Sequence, residues 1–234
     1  MPRIDLKDRV LVITGASSGI GEATARKAVE AGYRVALTAR SIDKLRALAE
    51  ELGGDDHALA IHCDVREWDD QQAAVKTVLD TWGRLDVAFA NAGFGCERGF
   101  LASTPEFWKD MILTNVYGCA LTIRATLPAL KEAQGHCLIT SSTAGRRVLP
   151  GSIYSASKWA VTAMGEALRQ EVTEAGVRVT LIEPGMTDTP FFENEVPEWS
   201  LKADDIANGV MYALEQPRHV AVTELLIRPT GQAF

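Results

Sequence analysis

Seven short apolar runs, each ending at turn or polar residues, alternate with longer amphipathic stretches along this 234-residue chain. The runs cover 10–13, 34–38, 58–61, 86–90, 136–140, 177–182 and 220–227. They are rich in Val, Ile and Leu and too short for helices, which predicts strands buried on both faces. The stretches between them carry helical spacing: Ile20, Ala23, Ala28 and Ala31 in 19–31, Leu45, Leu48, Ala49 and Leu52 in 41–52, and Trp68, Val75, Val78 and Leu79 in 67–82. A fourth, 152–174, follows a Pro-Gly turn, offers Ser152 as N-cap, and carries Trp159, Ala163, Met164 and Leu168. Strict alternation of strand and helix predicts an α/β fold, a doubly wound seven-stranded parallel sheet with helices on both faces. No Pro-rich or charged linker divides the chain, so 1–234 reads as one domain.

Composition narrows the partners. Hydrophobic residues make up 47% and charged residues 24%, as in soluble globular proteins. The net charge, 24 − 31 = −7, argues against nucleic acid, whose phosphates need clustered cations. The cysteines at 63, 96, 119 and 137 form no C-x-x-C pair, and His62 and Cys63, adjacent on a strand, point to opposite faces. No metal site is expected. The opening MPRIDLKDRV lacks the apolar core of a secretory signal, and the apolar stretch 111–130 is interrupted by Asn115 and Arg124. The expectation is a reduced, cytoplasmic, soluble protein with no membrane partner.

The segment Thr14-Gly15-Ala16-Ser17-Ser18-Gly19-Ile20-Gly21 follows the first strand and opens the first helix. Gly15 permits the sharp turn, Gly19 lets the backbone approach a pyrophosphate, and Gly21 lets the helix pack closely on the sheet. The first helix N-terminus adds free N–H groups and partial positive charge. Residues 10–19 echo 87–95, each an apolar strand breaking at Gly, as expected of two halves that meet in a dinucleotide crevice. An NAD site places an acid at the end of the second strand; here Ala39 is followed by Arg40. A guanidinium there grips a 2′-phosphate, which favours NADP(H). Asp64, ending the third strand, either accepts from an adenine amino group or caps the helix that follows.

Tyr154 and Lys158 stand four apart on one predicted helix and therefore share a face. Ser141 and Ser142 end the strand before it, and Asn115 lies on the preceding helical segment. Hydride delivery to a carbonyl leaves an alkoxide that must gain a proton, and a phenol with pKa near ~10 donates poorly at neutrality. A cation about 4 Å away contributes roughly 4 kcal/mol at an effective dielectric near 20, enough to lower that pKa by about three. A serine hydroxyl beside it stabilises the developing charge.

Together these motifs resemble the short-chain dehydrogenase/reductase family over nearly the whole chain, 8–232, in its compact Rossmann-type form. The resemblance rests on Thr14–Gly21, Asp64-Val65, Asn91-Ala92-Gly93, Asn115, Ser141-Ser142, Tyr154-x-x-x-Lys158 and Pro184-Gly185 with Thr189. It implies an NADP(H)-dependent alcohol dehydrogenase or carbonyl reductase, with Tyr154 as proton donor or base and Ser142 orienting the substrate. It implies Lys158 as ribose ligand and pKa modulator, and Asn115 as holder of a proton-relay water. It further implies Asn91, Ala92 and Gly93 framing the adenosine ribose, Thr189 reaching the nicotinamide amide, and Pro184, Gly185 and Thr187 alongside it. Ser141 fits the family's usual spacing to the tyrosine and Ser142 falls one short; Ser142 is chosen because the loop 149–153 looks one residue shorter than usual. Ser18 replaces a basic residue often found in the loop, so NADP preference leans on Arg40. The stretch 208–234 is similar to NADP-dependent 3-hydroxy acid dehydrogenases and related aldehyde and ketone reductases.

A substrate lid is expected at about 186–202, with Phe191, Phe192 and Trp199 packing it down, and 94–98 is expected to border the pocket. Asp188, Glu193, Glu195 and Glu198 make the lid acidic, which favours a neutral carbonyl compound over a small acid. Arg146 and Arg147 read either as a carboxylate anchor or as a solvated turn. The apolar excess of 104–133 and 152–174 predicts self-association, and the resemblance implies a homotetramer or homodimer. Two competing readings keep the fold: a non-catalytic NADP-binding redox sensor, and a sugar-nucleotide epimerase or dehydratase. The intact Tyr154, Lys158, Ser142 and Asn115 argue against the first, and the short chain after Lys202 against the second.

Overall fold

The computed structural model describes residues 6–192 and 194–233. Its strands and helices alternate as β1 Val10–Thr14, α1 Gly19–Glu30, β2 Arg34–Ala39, α2 Ile42–Glu51, β3 Ala58–His62, α3 Trp68–Trp82 and β4 Val87–Ala90. The second half follows with α4 Pro105–Ile112, a π-helical turn Leu113–Gly118, α5 Cys119–Ala133, β5 His136–Thr140, α6 Ile153–Val172 and β6 Arg178–Pro184. A two-residue pair, β7 Thr187–Asp188 and β8 Leu201–Lys202, precedes α7 Ala203–Leu214 and β9 Glu224–Ile227. Seven of the described strands form one sheet in the order β3-β2-β1-β4-β5-β6-β9, parallel throughout.

Strand periodicity explains the two cores. Leu11 and Ile13 of β1 face one side with Val35 and Leu37 of β2, where Ala25 and Ala28 of α1, Leu45 of α2, and Ile206 and Val210 of α7 cover them. Val10 and Val12 face the other with Val78 of α3, Ile123 of α5, and Val161 and Leu168 of α6. The sheet is thus buried on both faces, as continuous apolar strands require.

The helix α7 lies outside the sequence expectation, and β9 is shorter than the 220–227 run. The carbonyls of Val220 and Val222 are taken by side chains of β6, Arg178 and Thr180, so the run becomes strand only from Glu224. Ser152 caps α6 as expected, accepting from the Ser155 N–H at 3.1 Å. Strand order reverses between β1 and β4, and the C-terminal ends of these central strands open onto a crevice, the position at which such sheets bind ligands.

Candidate active site

One cavity of about 870 Å³ runs along these strand ends. Its lining includes Gly15, Ser17, Ser18, Gly19 and Ile20 from the loop after β1, Arg40 after β2, and Asp64 and Val65 after β3. Asn91, Ala92 and Gly93 after β4, Ser142 after β5, and Tyr154 and Lys158 of α6 complete its centre, with Pro184, Gly185, Thr187 and Thr189 beyond β6. Gly21 and Asn115 stand behind this wall. Gly21 is packed against the Gly15 carbonyl and the Asn91 side chain, so close that a Cβ would clash with both.

The loop after β1 fits a dinucleotide on its own geometry. Gly15 has φ +68° and Gly19 φ +57°, both in the left-handed region. Ser18, at the N-cap of the twelve-residue α1, makes no side-chain capping bond, leaving the first-turn N–H groups to an outside acceptor such as a pyrophosphate. Asn91 is held in place: its Nδ2 donates to the Thr14 carbonyl at 3.0 Å and its Oδ1 accepts from Thr140 Oγ1 at 3.1 Å.

Asp64 does not cap α3, whose N-cap position is Glu67. Its carboxylate is gripped by the Arg66 guanidinium, at 2.6 Å from Nη2, which pulls its pKa below the usual range. Arg40, exposed and without an ion-pair partner among the described residues, stands where a 2′-phosphate contact is expected.

The candidate catalytic residues meet where β5, α6 and the π-helical turn come together. Lys158 is 4% exposed, and its ammonium donates to the Thr140 carbonyl at 2.8 Å. It lies 5.7 Å from the centroid of the Tyr154 ring. Burial drives Tyr154 up to about 12 and Lys158 down to about 8. What opposes burial at the phenol is its hydrogen bond with Ser142, not the ammonium. At the phenol, desolvation thus outweighs the pull that the sequence assigned to Lys158.

Ser141 and Ser142 diverge. Ser141 is 1% exposed, turned away, and bonded to Thr162 Oγ1 at 2.7 Å and the Lys158 carbonyl at 3.3 Å. Ser142 Oγ accepts from the Ala144 N–H at 3.1 Å and faces the Tyr154 hydroxyl. Asn115 is 2% exposed in the π-helical turn. Its Oδ1 accepts from Phe94 N at 3.0 Å and its Nδ2 donates to the Phe94 carbonyl at 2.9 Å. A Cβ added to Gly93 would lie 3.0 Å from Asn115 Oδ1 and 3.7 Å from Lys158 Nζ, so glycine lets all three converge.

The lid is closed at its base by the β7–β8 pair, and Gln232 Oε1 accepts from Met186 N at 2.9 Å. Phe191 meets the Tyr154 ring edge-on at 5.6 Å and Phe192 at 5.0 Å. Asp188 pairs with Lys202 at 2.7 Å, and Glu193 lies outside the described residues. Arg146, partly exposed, is taken by the protein's own acids rather than free for a substrate: it pairs with the buried Glu183 at 2.7 Å and with Glu224, tying β6 and β9 together. Sequence reasoning missed Thr140 as the partner of Lys158, Phe107 and Leu149 on the pocket wall, and Gln232 beneath the lid. The one available signal was Thr140's place as the last strand residue before the serines.

Fold and site define a dinucleotide-dependent oxidoreductase class, and the comparisons agree. Residues 9–199 match the pattern of the short chain dehydrogenase family, and the chain belongs to that family. An uncharacterized oxidoreductase of Staphylococcus saprophyticus is 34% identical over 98% of this chain and 99% of its own length. The structure of an alcohol dehydrogenase from the archaeon Thermococcus sibiricus, complexed with 5-hydroxy-NADP, superposes with TM-score 0.90 at 36% identity, covering 97% of this chain and 98% of that one. A metagenomic short-chain oxidoreductase in complex with NADP gives 0.84 at 35% identity, covering 98% and 100%. No helix among the described residues is long and apolar enough to cross a membrane.

Proposed function

We propose that this protein is an NADP(H)-dependent alcohol dehydrogenase or carbonyl reductase acting on a ketone, aldehyde or 3-hydroxy acid and its oxidised partner. The observation that carries the reading is the convergence of Tyr154, Ser142 and Lys158 on one cavity whose far end is a glycine turn at an uncapped helix N-terminus. NADPH, when bound, supplies the hydride to the carbonyl carbon. The Tyr154 hydroxyl gives its proton to the carbonyl oxygen, and the Ser142 hydroxyl hydrogen-bonds that oxygen as charge develops on it. Burial pushes the phenol up to about 12, so it holds its proton at neutral pH, and the Ser142 hydrogen bond, which opposes that shift, eases the proton's release. Lys158 holds the nicotinamide ribose and, with Asn115 and a water, returns a proton to Tyr154.

Arg40 selects the 2′-phosphate. Support comes from the absence of an acid at that position and from the NADP-type ligands of two similar structures. One domain, 1–234, performs both binding and catalysis beneath the lid at about 186–202. Exposed Trp159 and Ala163 on α6 support self-association as a homotetramer or homodimer. Four free thiols suit a cytoplasmic setting.

The test is an NADPH-oxidation screen over aldehydes, ketones, β-keto esters and hydroxy acids, run beside Tyr154→Phe. The expected result is loss of turnover with retained NADPH binding; a variant with full activity removes the proton-donor assignment. Wild-type protein that binds NADPH tightly yet turns over no carbonyl compound would instead point to a sensor. Arg40→Asp is expected to shift preference toward NAD.

A further inference from the structure

The charge of the cavity opposes the charge of the chain. The protein carries −7 overall, yet the charged residues lining the cavity among the described residues are Arg40, Arg98, Arg147, Lys158 and a single carboxylate, Asp64. Asp64 is already neutralised by Arg66. Asp188, Glu195 and Glu198, the described acids of the lid, do not line the cavity, and Asp188 is spent on Lys202. Among the described residues, then, the acids of the lid that favoured a neutral substrate do not line the pocket.

Two of these cations have no use in the reading above. Arg40 follows β2 and serves the adenosine half; Lys158 serves the ribose. Arg98 follows β4 and Arg147 follows β5, adjacent strands on the other half of the sheet. Their loops are joined where Gly99 N donates to the Gly151 carbonyl at 2.8 Å, and Leu149 N donates to Ser155 Oγ at 3.3 Å beside Tyr154. Arg66, Arg84, Arg146 and Arg169 are each held by a carboxylate. The side chains of Arg98 and Arg147 are exposed and have no such partner among the described residues. Unpaired guanidinium groups at a concave site attract an oxyanion and bind a carboxylate through two parallel hydrogen bonds.

We infer that Arg98 and Arg147 form a carboxylate-reading rim, so that the carbonyl compound reduced at Tyr154 is an oxo acid whose carboxylate is bound but chemically unchanged. This rests on the oxidoreductase reading and narrows its substrate class.

Steady-state rates with NADPH on acetoacetate and levulinate, beside their methyl esters, test it in the wild type, Arg98→Gln, Arg147→Gln and the double variant. KM for NADPH is recorded in each. Wild type is expected to prefer acid over ester in kcat/KM by about tenfold or more, and each variant to lower that ratio about ten- to hundredfold, the loss of a charged hydrogen bond. A wild-type ratio at or below one overturns the inference while leaving the carbonyl reductase reading intact. Variants that raise KM for NADPH and keep the acid-to-ester ratio overturn it too, assigning the guanidinium groups to the cofactor. If neither acids nor esters are reduced, the oxidoreductase reading is left to the wider carbonyl screen, and levulinate binding to the NADPH complex, measured by calorimetry, decides the rim. Wild type must bind it at least about tenfold tighter than the double variant, or the rim falls.

Discussion

The Lys158 ammonium is bound to the Thr140 carbonyl at 2.8 Å, at the last residue of β5. This contact anchors the cation to the sheet at the wall of the cavity rather than leaving it free beside the phenol. The protein holds an ammonium where burial disfavours it, and the cost falls on stability.

Lys158→Met is therefore expected to abolish turnover and raise the melting temperature. The folded-state pKa of Lys158 is lowered from 10.5 to about 8, which sets roughly 3 kcal/mol against the charged form at neutral pH. Below pH 8 both folded and unfolded lysine carry the proton, and the penalty is fully present. It is relieved as pH rises from 8 toward 10.5, because there the unfolded chain binds more protons. Urea midpoints at pH 7 and 9.5 check this: the gap between wild type and variant at pH 7 should shrink to less than half at pH 9.5. A variant less stable at both values would show that the Thr140 bond outweighs desolvation.

Arg146 stabilises through one buried acid. Glu183 is 1% exposed, and burial raises its pKa while the Arg146 guanidinium pulls it back. Arg146→Ala strands that carboxylate, and a loss of about 3–5 kcal/mol is expected. Glu183→Gln in the same chain should recover most of it. Denaturant curves for the two single variants and the double variant give the coupling directly; additive losses would mean that the pair does not act as a unit.

Much of this arrangement was legible in the sequence, for identifiable reasons. Strands buried on both faces leave continuous apolar runs, so 10–13 and 136–140 announced themselves, and the glycines at 15, 19 and 21 mark places where a left-handed backbone or a close approach disfavours a Cβ. Tyr154 and Lys158 share a face because helix geometry requires it. Other features depend on contacts between distant segments. The shortening of β9 depends on Arg178 and Thr180 reaching across to Val220 and Val222. The π-helical turn carrying Asn115 has no residue pattern of its own. The titration of Tyr154 depends on burial, which spacing does not reveal, and the split role of Ser141 and Ser142 depends on Thr162, a turn further along α6 than Lys158.

Gln71 joins the adenosine side of the crevice to the π-helical turn. It is 3% exposed on α3, and its Nε2 donates to the Val65 carbonyl at 3.1 Å, the Gly118 carbonyl at 3.4 Å and Thr122 Oγ1 at 2.9 Å. Gly118 makes the approach possible, since a Cβ there would lie 2.7 Å from Val65 Cγ2. Gln71→Leu leaves the Val65 carbonyl buried and unbonded, and is expected to cost about 1–3 kcal/mol. Because Val65 lines the cavity, NADPH affinity should weaken as well, which fluorescence titration would detect. Unchanged stability with unchanged NADPH binding would mean that water replaces the amide.

The acid limit of the fold is expected at His136. It is 1% exposed on β5, its Nε2 pairs with Thr180 Oγ1 at 2.7 Å, and its Nδ1 has no partner among the described residues. Burial, reinforced by the nearby Arg178 guanidinium, holds its pKa well below 6.5. The unfolded chain takes up a proton near 6.5 and the folded one does not, so stability declines as pH falls below that value. Replacing the ring by an amide removes this titration but keeps a hydrogen-bonding partner for Thr180. His136→Gln should lower stability somewhat at pH 7.5 and flatten its decline between pH 6.5 and 5. Thermal midpoints across that range decide the matter: parallel wild-type and variant profiles would move the acid sensitivity to the carboxylates.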